Sequence, residues 1–331
     1  MNVKVAQLPI YFISLQAMKV SIVIPVYNRA ETVLRTLSSV KMQSYRPLQL
    51  VLVDNASNDH TLDTLNEFRQ KESKPDFEVL VTREPVRGAC AARNRGFDLC
   101  DGEWVLFFDS DDVMAKSLVK KYVQEVERLR GHVDVVLSPG ELLDSRGDKR
   151  KLPFYKSDLI ARHILHCVLA TQRYAVRREF FDRTDMWNTG LPAWNDYEMG
   201  LRLLLHRPRM AYLEGKPRVT VISSGANSIT GTEFSSRCGY WERVITLMMD
   251  EVRCSGLKDK RRYLRLLEYR KIVLAAQYFM EGNGDLAEQL YADTMSRLSD
   301  SVRMRLVIPW LYKRLCAGKR GNAQIARLLV K

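Results

Sequence analysis

No stretch of this chain approaches the roughly 20 consecutive apolar residues that a membrane-spanning helix needs. The apolar segment nearest the start, Leu8–Leu15 ("LPIYFISL"), is too short and wrongly flanked for a secretory leader. Cysteine is sparse and unpaired: Cys90, Cys100, Cys167, Cys238, Cys254 and Cys316 form no CxxC. That spacing excludes a zinc ribbon and a disulfide framework, and suits a reducing cytoplasm. Glycine is missing where a dinucleotide-binding fold would place it. The first apolar run ends in "PVYNRA" rather than G-x-G-x-x-G, against a dehydrogenase. The Gly-rich, Arg/Lys-bearing first loop of a nucleotidyltransferase is absent as well. Acids are missing from one region: residues 301–331 hold eight Lys and Arg and no Asp or Glu, more than half the net charge of +13. Such a tail calls for an anionic partner.

What is present is a strand–helix alternation. At 331 residues and 46% hydrophobic, the chain can bury one large core or two smaller ones. A clean strand begins in "MKVSIVIPVYN", so residues 1–17 are read as a disordered extension or an upstream mis-start. Val20–Val26 is nearly all apolar, and Asn28 with Glu31 matches a capping box for a helix bearing Val33, Leu37 and Val40 on one face. Strand Leu48–Val53, a helix over His60–Gln70, strand Phe77–Val81, a helix over "GACAARNRGFDLC" and strand Glu103–Phe108 follow. A helix over "VMAKSLVKKYVQEVERL" and a fifth strand, "VDVVLS", complete the series. Unbroken apolar strands joined by helices imply a mainly parallel sheet covered on both faces, an α/β/α sandwich. Beyond Arg150 the pattern is irregular to about Tyr240. It then turns helical, with a hairpin of two helices about Gly282-Asn283-Gly284.

In such sheets ligands collect beyond the carboxyl ends of the strands. Three polar clusters fall there: "YNR", "DNASND" and "DSDD". The last is electrostatically costly. Carboxylates packed this closely oppose each other's ionisation unless something positive sits among them, and a hard divalent cation is the usual remedy. Asp109 and Asp111 stand two apart, so in extended chain both can face one ion; Asp112 reads as the cap of the next helix.

Four elements in order, "VSIVIPVYNRAETV", "LVLVDNASNDHT", "RGACAARNRGFDLCDGEWVLFFDSDD" and "WNDYEMGLRL", resemble family 2 glycosyltransferases of the GT-A fold over Lys19–Thr230. The resemblance implies a GT-A domain over residues 18–235, with a nucleotide-sugar half (18–115) and an acceptor half (116–235). A helical C-terminal region with the basic tail (236–331) follows. It further implies a donor site in which Pro25, Tyr27, Asn28 and Asp54 line the base and ribose. Arg93, Asp109 and Ser110 would lie at the diphosphate, and Asp111 with Asp109 would hold Mn²⁺ or Mg²⁺. Asp196 is the implied catalytic base, although Asn195 stands where relatives often carry a Glu or Gln. Trp187, Trp194 and Glu198 are candidates for the acceptor side. Plainer roles compete: helix capping for Asp54, Ser57 and Asp196, core packing for the tryptophans. His163 and His166, three apart with no third ligand nearby, read as a packed or solvated face rather than a metal site. A His found in some relatives before "NSIT" is replaced here by Ser223 and Ser224.

The implied activity is metal-dependent inverting transfer of a sugar from a nucleotide-diphosphate donor, a UDP-sugar foremost. The acceptor would be a saccharide or polyprenyl-linked saccharide in cell-surface glycan synthesis. A non-catalytic nucleotide-binding relative is the alternative. Aromatic and apolar residues interleaved with Arg and Lys in "RMRLVIPWLYKRL" suit a membrane surface. The chain is thus expected in the cytoplasm, peripheral at the inner face of the membrane. No nucleic-acid recognition motif accompanies the charge, so no nucleic-acid partner is expected.

Overall fold

The computed structural model describes residues 17–223, 234–298, 302–319 and 321–329. The first half runs β1 (Val20–Val26), α1 (Val33–Lys41), β2 (Leu48–Asp54), α2 (Thr61–Glu72), β3 (Phe77–Arg83), α3 (Ala89–Asp98) and β4 (Trp104–Phe107). Next come β5 (Val113–Met114), α4 (Leu118–Arg128), β6 (Val135–Leu137), β7 (Gly140–Leu143), β8 (Lys149–Lys151) and α5 (Leu159–His166). They are followed by β9 (Tyr174–Arg177), α6 (Arg178–Asp182), α7 (Asn195–Leu205), β10 (Met210–Tyr212) and β11 (Val219–Ile222). Five helices finish the chain: α8 (Cys238–Cys254), α9 (Lys260–Met280), α10 (Gly284–Leu298), α11 (Val302–Cys316) and α12 (Asn322–Leu329).

The main sheet has the order β10-β6-β9-β4-β1-β2-β3. Only β9 runs against its neighbours β4 and β6; every other pairing is parallel. All seven residues of β2 are buried, as expected of a strand covered on both faces. In β1 the alternation of side chains divides the core. Val20, Ile22, Ile24 and Val26 pack with α1, α2 and α4, while Val23 packs with α3 and α7 on the other face. A smaller sheet, β5-β11-β7-β8, stands beside it.

Two local expectations are corrected, the capping box and the start of the helix after "DSDD". The capping box does not form: Asn28 is left-handed (φ 49°), and the helix begins five residues later, at Val33. The helix after "DSDD" starts only at Leu118, because Val113 and Met114 pair with β11. The C-terminal helices do not stand apart: α8–α12 share a hydrophobic core with α5 and α7. Helix α9 lies at its centre, touching α5, α8, α10, α11 and α12. The α9–α10 hairpin turns at Glu281–Asn283. His163 is buried: its Nδ1 accepts from the Leu169 amide at 3.1 Å, and its Nε2 lies 2.8 Å from the Tyr197 carbonyl. Burial pushes its pKa down to about 4, so it packs as a neutral ring. The expected extension falls outside the described residues except for Ala17, and so does the "NSIT" segment with Ser224.

Candidate active site

The loops after β1, β2 and β3 are tied to one another before any ligand enters. The Asn28 amide donates to Ser57 Oγ, and the Asn58 amide to Asn28 Oδ1, both at 3.0 Å. The Arg29 amide donates to Thr61 Oγ1 at 2.8 Å. Asn55 bridges onward, donating to the Val86 carbonyl at 2.7 Å and accepting from the Gly88 amide at 2.8 Å. Asn28 therefore stitches loops together instead of capping a helix, which explains its left-handed backbone.

Asp54 ends β2 fully buried, yet neither of its carboxylate oxygens accepts a hydrogen bond from the described residues. Arg83 forms an ion pair with it, Nε lying 3.2 Å from Oδ2. A buried acceptor left open costs about 1–3 kcal/mol and awaits a donor. Pro25 lies within β1 opposite Val53, and Tyr27 is exposed with the Arg87 guanidinium 5.3 Å above its ring.

The "DSDD" loop is strapped to α1. Thr36 Oγ1 lies within hydrogen-bonding distance of the carbonyls of Ser110 and Asp112, and Arg35 Nη2 donates to the Asp111 carbonyl at 2.8 Å. Asp109 accepts from Arg93 Nη2 at 2.7 Å and Asp111 from Arg29 Nη2 at 3.1 Å, each carboxylate about a third exposed. Asp112 is not a cap. It turns inward to accept from Gln172 Nε2 at 2.5 Å and from the Ile222 amide at 2.9 Å. It thereby anchors the second sheet to the loop. Burial, then the charge of Asp109, raises the pKa of both Asp111 and Asp112.

Arg93 joins this loop to the acceptor half. Gly96 lets α3 lie directly on the sheet, since a Cβ there would overlap Val23. One turn earlier Arg93 is buried, its Nη2 on Asp109 and its Nη1 donating to Asn195 Oδ1 at 3.1 Å. Its guanidinium sits 4.5 Å over the Trp187 ring, and its Nε has no hydrogen-bond partner among the described residues. Asn94 fixes the Trp187 backbone with reciprocal 2.9 Å hydrogen bonds. Asp196 lies in the first turn of α7 rather than at its cap, which is Trp194. Its Oδ2 is 3.7 Å from Cys167 Sγ. Burial, then Asp109, raises its pKa while Arg93 draws it back. A carboxylate so placed is a stronger base than a solvated one.

Two acceptor candidates are corrected. Trp187 is buried edge-on against Phe107 and beneath Arg93, so it supports the arginine rather than offering a stacking face. Glu198 is buried with both oxygens bound by Arg202, at 2.7 and 3.0 Å. Trp194 is partly exposed, left-handed (φ 53°), and packs on Tyr197 and Trp241. Arg29, Asn94, Cys167, Gln172 and Arg270 were not singled out by motif. Two of them lie inside quoted motifs, Arg29 in "YNR" and Asn94 in "GACAARNRGFDLC".

The donor set suits one hard cation: two carboxylates on one loop, mutually repelling, each ion-paired with a guanidinium. Among the described residues no three His, Cys, Asp or Glu side chains gather as a full metal cage. Any ion here would take its remaining ligands from water or a bound phosphate.

Residues 21–185 match the model described as Glycosyl transferase family 2, and the chain belongs to that family. It is similar to the amylovoran biosynthesis glycosyltransferase AmsB of Erwinia amylovora, 29% identical over 168 residues, 48% of this chain and 55% of that one. It is also similar to the UDP-Glc:alpha-D-GlcNAc-diphosphoundecaprenol beta-1,3-glucosyltransferase WfgD of Escherichia coli. That match is 36% identical over 94 residues, 28% of this chain and 35% of the relative. The matches thus span about half the length of these relatives or less. Among solved structures, S. aureus TarS 1-349 in complex with UDP-GlcNAc superposes with a TM-score of 0.70 at 18% identity, over 94% of this chain and 91% of that one. The mannosyltransferase PcManGT from Pyrobaculum calidifontis, in complex with GDP-Man and Mn²⁺, gives 0.55 at 16%, over 94% and 85%. The fold of this chain is GT-A, extended by C-terminal helices.

Proposed function

We propose that the protein transfers a hexose from a UDP-sugar to a saccharide carried on a polyprenyl diphosphate, with inversion at the anomeric carbon. One observation carries the reading: Arg93 links Asp109 on the donor side to Asn195, beside Asp196, on the acceptor side. Uridine is chosen because the TarS complex holds UDP-GlcNAc, and the acceptor class follows the name of WfgD. Asp54, with its open carboxylate, would accept from the base; Pro25, Tyr27 and Asn28 would line the pocket. Arg93, Asp109 and Ser110 would face the diphosphate. A Mn²⁺ or Mg²⁺ ion held by Asp111 and Asp109 would neutralise charge on the leaving diphosphate. Asp196 takes the proton of the acceptor hydroxyl as that oxygen bonds to the anomeric carbon. The bond from this carbon to the diphosphate breaks on the opposite face, its electron pair leaving with the UDP. Arg93 meets the developing charge from a buried, preorganised position. Trp194, beside Asp196 and partly open, remains the aromatic available to the acceptor sugar.

The test is UDP release from UDP-glucose or UDP-N-acetylglucosamine with Mn²⁺, with and without a polyprenyl-linked saccharide. Acceptor-dependent release is expected. Tight UDP-sugar binding with no release under any acceptor would make the chain a nucleotide-binding relative without transferase activity.

A further inference from the structure

Helix α11 is amphipathic twice over. Its inner face, Met304, Ile308 and Leu311, is buried in the C-terminal core. Its outer face is also apolar: Val302, Leu306 and Trp310, spaced by four residues, are 63%, 72% and 48% exposed. A soluble helix ordinarily presents polar residues there. Arg303, Arg305 and Lys313 are exposed on the same helix, Lys319 is exposed three residues beyond its end, and Arg314 covers the Trp310 ring at 4.9 Å. Residues 302–319 contain no acid.

We propose that α11 docks the protein on an anionic phospholipid surface, with Val302, Leu306 and Trp310 inserted among the headgroups and the arginines and lysines on the lipid phosphates. An apolar stripe flanked by cations, with Trp at its edge, is the chemistry of an interfacial helix. No helix among the described residues is long and apolar enough to cross a membrane, so attachment through this helix is peripheral. The position serves the active site. Helix α11 packs on α9, and α9 places Arg270 5.9 Å from the Trp194 ring and 5.6 Å from that of Tyr197, the residues flanking Asn195 and Asp196. One helix layer therefore separates the lipid surface from the acceptor side. Docking itself is independent of the donor chemistry; only the benefit to a lipid-linked acceptor rests on the transferase reading.

The experiment is flotation of the full chain with vesicles of phosphatidylcholine alone or with 30 mol% phosphatidylglycerol, on the order of what an anionic leaflet presents. Wild type should float with the anionic vesicles and release in high salt. L306S/W310S should weaken partitioning about tenfold, and R303S/R305S roughly fivefold per charge removed. Both variants should keep the wild-type melting temperature and UDP-induced thermal shift, since these side chains point away from the core. Equal flotation of wild type and L306S/W310S would overturn the proposal. So would a loss of self-association in that variant without any change on vesicles, which would mean that a second copy covers the stripe. A missing UDP shift in wild type would count against the donor reading and leave docking untouched.

Discussion

On α7, Asp196 and Glu198 stand two residues apart, yet their carboxylates meet opposite surroundings. Glu198 points behind the helix into a closed cluster. Arg202 binds both of its oxygens and donates from Nη1 to the carbonyls of Thr184, Asp185 and Met186, with Glu251 of α8 3.6 Å from Arg202 Nε. Asp196 stands within the field of Asp109 and Arg93, in a cluster left incomplete: among the described residues Arg93 Nε and both oxygens of Asp54 have no hydrogen-bond partner, although Asp54 Oδ2 is ion-paired with Arg83. The closed cluster leaves Glu251 Oε2 without a hydrogen-bond partner among the described residues, and spends its other hydrogen bonds on holding α7 against α8 and the 184–186 turn. The open one keeps donors and acceptors in reserve, the condition for binding a ligand in a low-dielectric site.

Substitutions should separate the two clusters by what they destroy. Asp196→Asn keeps the shape and removes the base. Sugar transfer should fall about 10²–10⁴-fold, while titration with UDP-sugar and Mn²⁺ shows unchanged affinity. A loss of folding instead would assign Asp196 to the architecture. Arg202→Ala should do the converse. Breaking a buried pair costs about 3–5 kcal/mol, read as a lowered denaturation midpoint, with UDP-sugar affinity per folded molecule preserved. Glu251 sharpens the contrast. Burial and its contact with Glu198 raise its pKa, so the folded state retains a proton that the unfolded chain releases above the ordinary value near 4.5. Stability should therefore decline as pH rises above that value, by up to about 1.4 kcal/mol per unit. In Glu251→Gln the melting temperature should lose this slope.

The sequence made one of these clusters legible and hid the other. Asp54, Asp109 and Asp111 announce themselves because Asp54 ends an apolar strand and Asp109 and Asp111 follow one within four residues, and strand ends of a parallel sheet share one edge. The strands themselves were readable within a residue or two for the same reason. Glu198 looked like a neighbour of the site through linear proximity alone; once both residues lie on one helix, positions two apart are turned about 200° from each other, so 198 faces away from 196. Trp187 and Cys167 come from the irregular stretch after Arg150, where no periodicity assigns a face. Asp112 misled by its local pattern: its partners, Gln172 and Ile222, lie 60 and 110 residues away. Long-range hydrogen bonds of that kind leave no trace in spacing.

The remaining tests act inside the open cluster. Asp111→Ala should weaken Mn²⁺-assisted UDP-sugar binding by at least about tenfold, the lower end of what disturbing a metal site costs. Metal-free binding should change little, because Asp54 and the base pocket are untouched. Equal loss with and without Mn²⁺ would move Asp111 out of the metal's shell.

The smallest effect is the most diagnostic. Asn195 gives Arg93 a hydrogen-bond acceptor without a charge, so among the described residues Asp109 is the carboxylate bound to that guanidinium. Asn195→Asp is nearly isosteric and keeps the accepting oxygen, but it adds a second negative charge beside the diphosphate's cationic contact. At an effective dielectric near 20 that charge should weaken UDP-sugar binding roughly fivefold at low ionic strength, and less in 0.5 M salt. It should also push the Asp196 pKa further up, moving the acid limb of the pH–rate profile to higher pH. Tighter binding in this variant would mean that Arg93 directs its charge at Asp109 alone. The vacant Nε would then be a packing defect rather than the diphosphate's receptor.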